Sequence, residues 1–203
     1  ASKGFRNPVL RDLYMFGVKN PDLKPERLWN YELAWSQRLA DGRLSYGVNL
    51  FRIEGRDIIQ TGIRDGRNIL LNQARIENWG IEANAAWRIA AAWSLDANYS
   101  WLRMKYPVLA SPEHKLYAGA NFSRKRWMVA AGVQYVEGLY TAVAPNAEIQ
   151  ENFVLLNLRA SFRVNRRLTI YARGENLLAQ RYEINAGYPM PRATAFGGIK
   201  LNF

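Results

Sequence analysis

His114 is the chain's single histidine, set between Glu113 and Lys115 and behind Pro112. Acid–base or nucleophilic chemistry of the histidine type would have to be assembled around it. Ser111 is close by, yet neighbouring positions of an extended chain point to opposite faces, and no Gly-x-Ser-x-Gly elbow occurs. One histidine with scattered carboxylates offers no metal-ligand spacing, and the lack of cysteine removes thiolate sites and disulfides. Gly4, Gly80 and Gly174 stand apart and form no phosphate-cradling loop. The residue set points away from an enzyme and calls for no cofactor. His114 reads as a capping or rim residue where a strand begins.

What the chain does repeat is alternation. Ala195, Gly197, Ile199, Leu201 and Phe203 share one phase, and Thr194, Gly198, Lys200 and Asn202 the other, with Phe196 out of character. Side chains of a strand alternate with period two, so one face is apolar and one polar up to the last residue. The same pattern recurs upstream. Trp29, Tyr31, Leu33 and Trp35 oppose Asn30, Glu32 and Ser36, and Trp79, Ile81, Ala83, Ala85 and Trp87 oppose Asn78, Gly80, Glu82 and Asn84. No run approaches the ~18 apolar residues of a membrane helix. A transmembrane barrel, whose strands alternate, would escape that criterion.

Connector lengths sharpen this reading. Short connectors fall at 40–42, 90–92, 123–126 and 165–167, and long ones at about 7–24, 54–72, 103–113, 137–151 and 178–191. Asp41-Gly42 accepts the positive φ of a tight hairpin turn. Short turns at one end and long loops at the other describe an up-and-down outer-membrane barrel rather than a β-sandwich. Nine full strands and the end of a tenth, residues 1–6, are expected: an all-β, antiparallel transmembrane β-barrel segment.

Tryptophan assigns the lipid face. Trp35, Trp87, Trp93 and Trp127 lie toward short turns, and Trp29, Trp79 and Trp101 toward long loops, all on the apolar phase. Two aromatic belts at the two membrane interfaces account for that placement. Trp93 and Trp101 would stand about 26 Å apart along a strand, or roughly 20 Å in height after a tilt of about 40°. The other face, with Glu82, Asp96, Arg159, Arg173 and Lys200, carries both signs of charge and should line a hydrated lumen or meet a plug, braced by opposite charges on neighbouring strands. The net charge of +11 is scattered, with arginines at turns such as Arg43, Arg88, Arg124 and Arg166. That scatter suits a solvated rim or lipid headgroups and gives no nucleic-acid footprint.

Several segments resemble the barrel of TonB-dependent outer-membrane receptors. Gly4-Phe5-Arg6-Asn7-Pro8 with Asn20-Pro21-Asp22-Leu23-Lys24-Pro25-Glu26 resembles an extracellular loop of that family leading into a strand. Gly80-Ile81-Glu82, Pro112-Glu113-His114-Lys115-Leu116, and Arg173-Gly174-Glu175-Asn176-Leu177-Leu178 with Arg181-Tyr182 resemble later family segments in the same order. The closing Gly198, Leu201 and Phe203 are similar to the terminal signal read by the barrel assembly machinery. The resemblance implies that residues 1–203 are a carboxyl-terminal part, about the last ten strands, of a roughly 22-stranded barrel. The plug domain and the energy-coupling box that binds TonB would belong to the rest of the same receptor.

The resemblance further implies an outer-membrane active-transport receptor of a Gram-negative bacterium for a scarce nutrient such as an iron–siderophore complex. Lipid and lipopolysaccharide would surround it, and no nucleic acid would be involved. A passive porin-like channel or a structural barrel remain the alternatives. Ligand would meet the long loops, where Tyr14, Phe16, Arg64, Arg67, Tyr106, Tyr140 and Tyr188 are the candidate contacts. Amphipathic rings and guanidiniums suit an anionic, aromatic chelate.

Overall fold

The computed structural model describes residues 1–15, 17–143 and 148–202. Ten strands form one sheet in strict chain order. They are β1 (Ser2–Arg6), β2 (Glu26–Leu39), β3 (Leu44–Arg64), β4 (Arg67–Ala90), β5 (Trp93–Met104), β6 (His114–Arg124), β7 (Trp127–Ala142), β8 (Ile149–Arg163), β9 (Leu168–Glu175) and β10 (Thr194–Leu201). The ladders of β1 with β2, and of each successive pair from β5 to β10, are antiparallel. A five-residue helix, α1 (Leu10–Tyr14), interrupts the β1–β2 connector. Val18 makes an isolated parallel bridge to Ile69, which ties that connector to β4 without adding a strand pair.

Two of the short turns rest on glycine or asparagine chemistry. Ala40, Asp41 and Gly42 all adopt positive φ, and Arg43 N–H closes on the Ala40 carbonyl at 3.0 Å. Asn165 Oδ1 accepts from the N–H groups of Arg167 and Leu168, at 2.8 and 2.9 Å, an Asx turn between β8 and β9.

One long connector is corrected. Residues 54–72 are not a loop: β3 and β4 run on and close through Asp65 and Gly66, at φ 52° and 73°. Gly55, Asp57 and Gly62 resemble loop punctuation, yet the structure uses them inside β3. Asp57 turns through φ 58°, and a Cβ on Gly55 would already meet Ile76 Cβ at 3.0 Å. Such residues mark irregular or closely packed strand as readily as loop. The connector expected at 137–151 is also shorter, because β7 continues to Ala142 through register shifts after Val136 and Tyr140.

The chain comprises two compact units, Ala1–Leu33 with Leu50–Gly80 and Arg103–Tyr106, and Ala34–Asn49 with Ile81–Leu102 and Pro107–Phe203. In the first, Leu23 and Ile69 are buried. In the second, Val136, Leu139, Phe153 and Leu155 form a buried cluster covered by Tyr182 and Ile184 of the β9–β10 connector.

Candidate functional site

The register of the second unit separates two faces row by row. On one, Trp93 pairs with Phe122, Ala97 with Ala118 and then Val133, and Trp127 with Phe162. Trp93 and Phe122 have centroids 4.9 Å apart, and Trp127 and Phe162 4.6 Å, both tilted, so aromatic rings cluster beside the short turns. Trp35 meets Tyr46 edge-on at 5.2 Å. In the first unit Trp29 stacks on Tyr31 at 6.3 Å. Trp79 and Trp87 are exposed and Trp101 is half-buried.

His114 belongs to this aromatic face. It is the register partner of Trp101 on β5 and of Glu137 on β7, and Tyr99 Oη lies 2.8 Å from its Nδ1. The histidine is thus held by a phenol within a cluster of aromatic rings.

The opposite face is organised by rings laid over glycine. Gly119 and Gly132 are register partners, and a Cβ on either would come within 3.0 Å of the Tyr117 ring or hydroxyl. Tyr171 covers Gly198 in the same way. Removing the side chain lets an aromatic lie flat on a strand, so glycine here supplies a packing socket. Phe196 is explained too. It falls on the polar face opposite Arg173, whose guanidinium carbon lies 4.4 Å from the ring centroid, a cation–π contact.

Bracing by opposite charge occurs at Arg6 and Glu26. Further along, Arg159 instead stands directly opposite Arg173. Near the short turns, Arg126, Arg159, Arg163, Arg166 and Lys200 share a groove of about 860 Å³.

The family-like segments turn out to hold loops. Arg6 Nε and Nη2 donate to the two Glu26 oxygens at 2.6 and 2.9 Å, while Nη1 reaches Asp12 at 3.3 Å. Glu26 Oε1 also accepts the Ile59 N–H at 2.8 Å. The bidentate guanidinium holds Glu26 below the usual carboxylate range, against the opposing effect of burial. Asn72 bonds the N–H and carbonyl of Lys24 and the Asp57 carbonyl, and Asn20 donates to the Leu70 carbonyl. In the other unit Asn176 is buried at φ 48°. Its Nδ2 donates to the Gln180 and Pro191 carbonyls, its Oδ1 accepts from Gln180 N–H, and its own N–H donates to Asn157 Oδ1. Tyr182 packs at a tilt on Phe153 with ring centroids 4.2 Å apart, and burial pushes its hydroxyl pKa up.

The candidate ligand contacts are dispersed. Tyr14 ends α1 and is exposed; Arg64 and Arg67 flank the Asp65-Gly66 turn; Tyr106 lies under Lys105 Nζ at 5.7 Å. Val18 N–H bonds the Asn68 carbonyl at 3.0 Å, which brings the segment after Tyr14 to the hairpin carrying Arg67. Tyr140 is half-buried, its carbonyl accepting Ala110 N–H, while Tyr188 is 74% exposed on the β9–β10 connector. Phe16 and Phe203 lie outside the described residues. Among the described residues no group of three or more His, Cys, Asp or Glu side chains is placed to hold a metal. Sequence reasoning missed the inner cluster at Phe153 and Leu155, two apolar residues on the polar phase of β8 that were themselves the available signal.

Residues 1–177 match the family described as "TonB dependent receptor-like, beta-barrel". The whole chain is 24% identical to the vitamin B12 transporter BtuB of Photobacterium profundum, and spans 34% of that protein. The copper transporter OprC superposes with a TM-score of 0.80 at 18% identity, over 99% of this chain and 36% of that one. A mutant ferric enterobactin receptor, PfeA from Pseudomonas aeruginosa, in complex with enterobactin, gives 0.81 at 15% identity, over 99% and 37%. The chain thus spans about a third of the length of these relatives.

Proposed function

The chain belongs to the β-barrel family of TonB-dependent receptors, and on that premise we propose that it is the carboxyl-terminal wall of an outer-membrane receptor importing an iron–siderophore complex with TonB-coupled energy. The observation that carries the substrate class is the set of rings on the connectors and guanidiniums at the strand ends beside a tight turn. Tyr14 and Tyr188 are exposed, and Arg64 and Arg67 frame a tight turn. Such groups suit an anionic, aromatic chelate through stacking and charge-assisted hydrogen bonds. Similarity to a vitamin B12 transporter, a copper transporter and a ferric enterobactin receptor supports a metal-chelate or corrinoid cargo in general.

In this reading the seven tryptophans, Trp29, Trp35, Trp79, Trp87, Trp93, Trp101 and Trp127, form the two membrane belts. Gly198, Leu201 and Phe203 form the assembly signal, and the polar face meets the plug. The test is uptake by cells whose sole receptor of this kind is the full-length protein. Labelled iron supplied as a catecholate or hydroxamate chelate should enter only when TonB is present. Uptake of cobalamin or copper alone would overturn the iron assignment. Flux of unrelated small solutes without TonB would favour a passive channel.

A further inference from the structure

The polar face of the second unit carries two cationic rows across β8, β9 and β10. Arg159 stands opposite Arg173, which in turn faces Phe196, and Arg163 stands opposite Thr169, which faces Lys200. Between these rows Ser161 stands opposite Tyr171, so hydroxyls separate the charges. Strand rise puts Arg159 and Arg163, four residues apart, about 13 Å from one another. Arg159, Arg163 and Lys200 share the groove of about 860 Å³ with Lys125, Arg126 and Arg166, and no Asp or Glu among the described residues lines it.

This charge is not compensated within the described chain. Arg173 is engaged, with Nη1 3.4 Å from Glu175 and its guanidinium over the Phe196 ring. Arg159, Arg163 and Lys200 are exposed and make no ion pair among the described residues. Like charges directly opposite on neighbouring strands repel, so an anion between the strands would relieve Arg159 against Arg173. A cleft lined by one sign of charge also concentrates counter-ions. A second hollow of about 480 Å³ shares Arg159 and runs on to Tyr182 and Met190 of the β9–β10 connector. That connector carries the exposed Tyr188.

We propose that Arg159, Arg163 and Lys200 form an exit-side subsite for the anionic groups of the cargo, on the inner wall beside the short turns. The ligand class is a chelate bearing several catecholate or carboxylate oxygens, which guanidinium and ammonium groups bind through charge-assisted hydrogen bonds. A groove of about 860 Å³ is in the range that holds a whole small molecule. Its junction at Arg159 with the hollow under the Tyr188 connector favours a travelling anion over a fixed acidic segment of the plug. The subsite rests on the proposed import of an anionic chelate, and it makes the wall select for cargo charge after the connectors have released it.

The test measures labelled-iron uptake from a ferric tricatecholate chelate by cells whose sole receptor of this kind is the full-length protein. Binding at the cell surface is read separately in a strain without TonB. R159Q/R163Q/K200Q should bind the chelate at the surface as the wild type does, while maximal uptake falls by about tenfold, a barrier increase of roughly 1.4 kcal/mol. R159K/R163K keeps the charge and should retain most of the uptake. R159Q alone also removes the repulsion from Arg173, so it should fold and show a smaller fall in the same direction. Heat-modifiable migration on gels reports a folded barrel, and protease resistance of the plug reports its seating. Undiminished uptake in the glutamine variants overturns the subsite. Reduced uptake with a protease-sensitive plug also overturns it and assigns the groove to an acidic segment of the plug. Wild-type uptake of a neutral hydroxamate chelate but not of the tricatecholate sinks the subsite alone. No TonB-dependent uptake of either chelate sinks the parent reading.

Discussion

Tyr171 lies across Gly198 so closely that a Cβ on the glycine would sit 2.6 Å from the tyrosine hydroxyl and 2.7 Å from Cζ. The two are register partners on β9 and β10, so the contact is a ring seated in a socket on the neighbouring strand. Gly198→Ala should destabilise the folded receptor by about 1–3 kcal/mol through overpacking, read as a lower urea midpoint. In a Tyr171→Ala background the same change should be nearly neutral. A full loss of assembly in both backgrounds would show that the socket is not what makes Gly198 necessary.

Asn176 holds the connector after β9 through its amide and its positive φ. Asn176→Ala should cost about 2–4 kcal/mol locally, since several hydrogen bonds of roughly 1 kcal/mol each are lost and alanine tolerates the positive φ less well. Asn176→Gly keeps the backbone conformation and should recover only part of that. Limited proteolysis between residues 176 and 193 measures both, and an Asn176→Ala loop as resistant as wild type would refute the clamp.

Glu26 has its carboxyl pKa depressed by Arg6. Its ordinary unfolded value is about 4.3. A depressed folded value means the stabilisation is fully present above that pH and fades as pH falls through the lower folded value. Glu26→Gln should therefore loosen the 7–25 connector at neutral pH, and the difference from wild type should shrink as acid protonates Glu26. Cleavage of that connector by proteases active at neutral and at acid pH reads the trend. A gap that widens in acid would reverse the assigned sign.

Ala83 shares the strand phase of Trp79 and Trp87, whereas Asn84 shares the other. If the tryptophan face meets hydrocarbon, Ala83→Arg should cost about 2–4 kcal/mol near the midplane and Asn84→Arg much less. Folding yields into vesicles compare them. Equal tolerance would count against lipid contact on that face.

Tyr188 is 74% exposed and its N–H closes a turn on the Asn185 carbonyl at 3.0 Å. If Tyr188 stacks on the proposed ferric chelate, a contact worth about 0.5–1.5 kcal/mol, Tyr188→Ala should weaken binding by roughly two- to twelvefold. Fluorescence titration measures this, and Tyr188→Phe should retain most of the affinity.

The alternation of β2, the turn at Asp41-Gly42 and the all-β antiparallel order were legible from residue type alone, because strand period and turn φ are local properties. The family segments were equally legible, since Arg6, Glu26 and Asn176 stand at recognisable spacings. Their task was not. Arg6 needs Glu26 across a ladder, Glu26 needs Ile59 from another strand, and Asn176 needs Asn157 and Pro191. The hairpin through Asp65-Gly66 was hidden for a related reason: Gly55 and Asp57 have loop-like types, and only packing against Ile76 and bonding to Asn72 keep them in a strand. Phe196 reads as an error of pattern until Arg173 is opposite it, and Phe153 and Leu155 read as misplaced until Tyr182 covers them. Period and turn chemistry act within a few residues, whereas which polar group is paired and which apolar group is covered depends on partners far along the chain, and only the folded sheet brings them together.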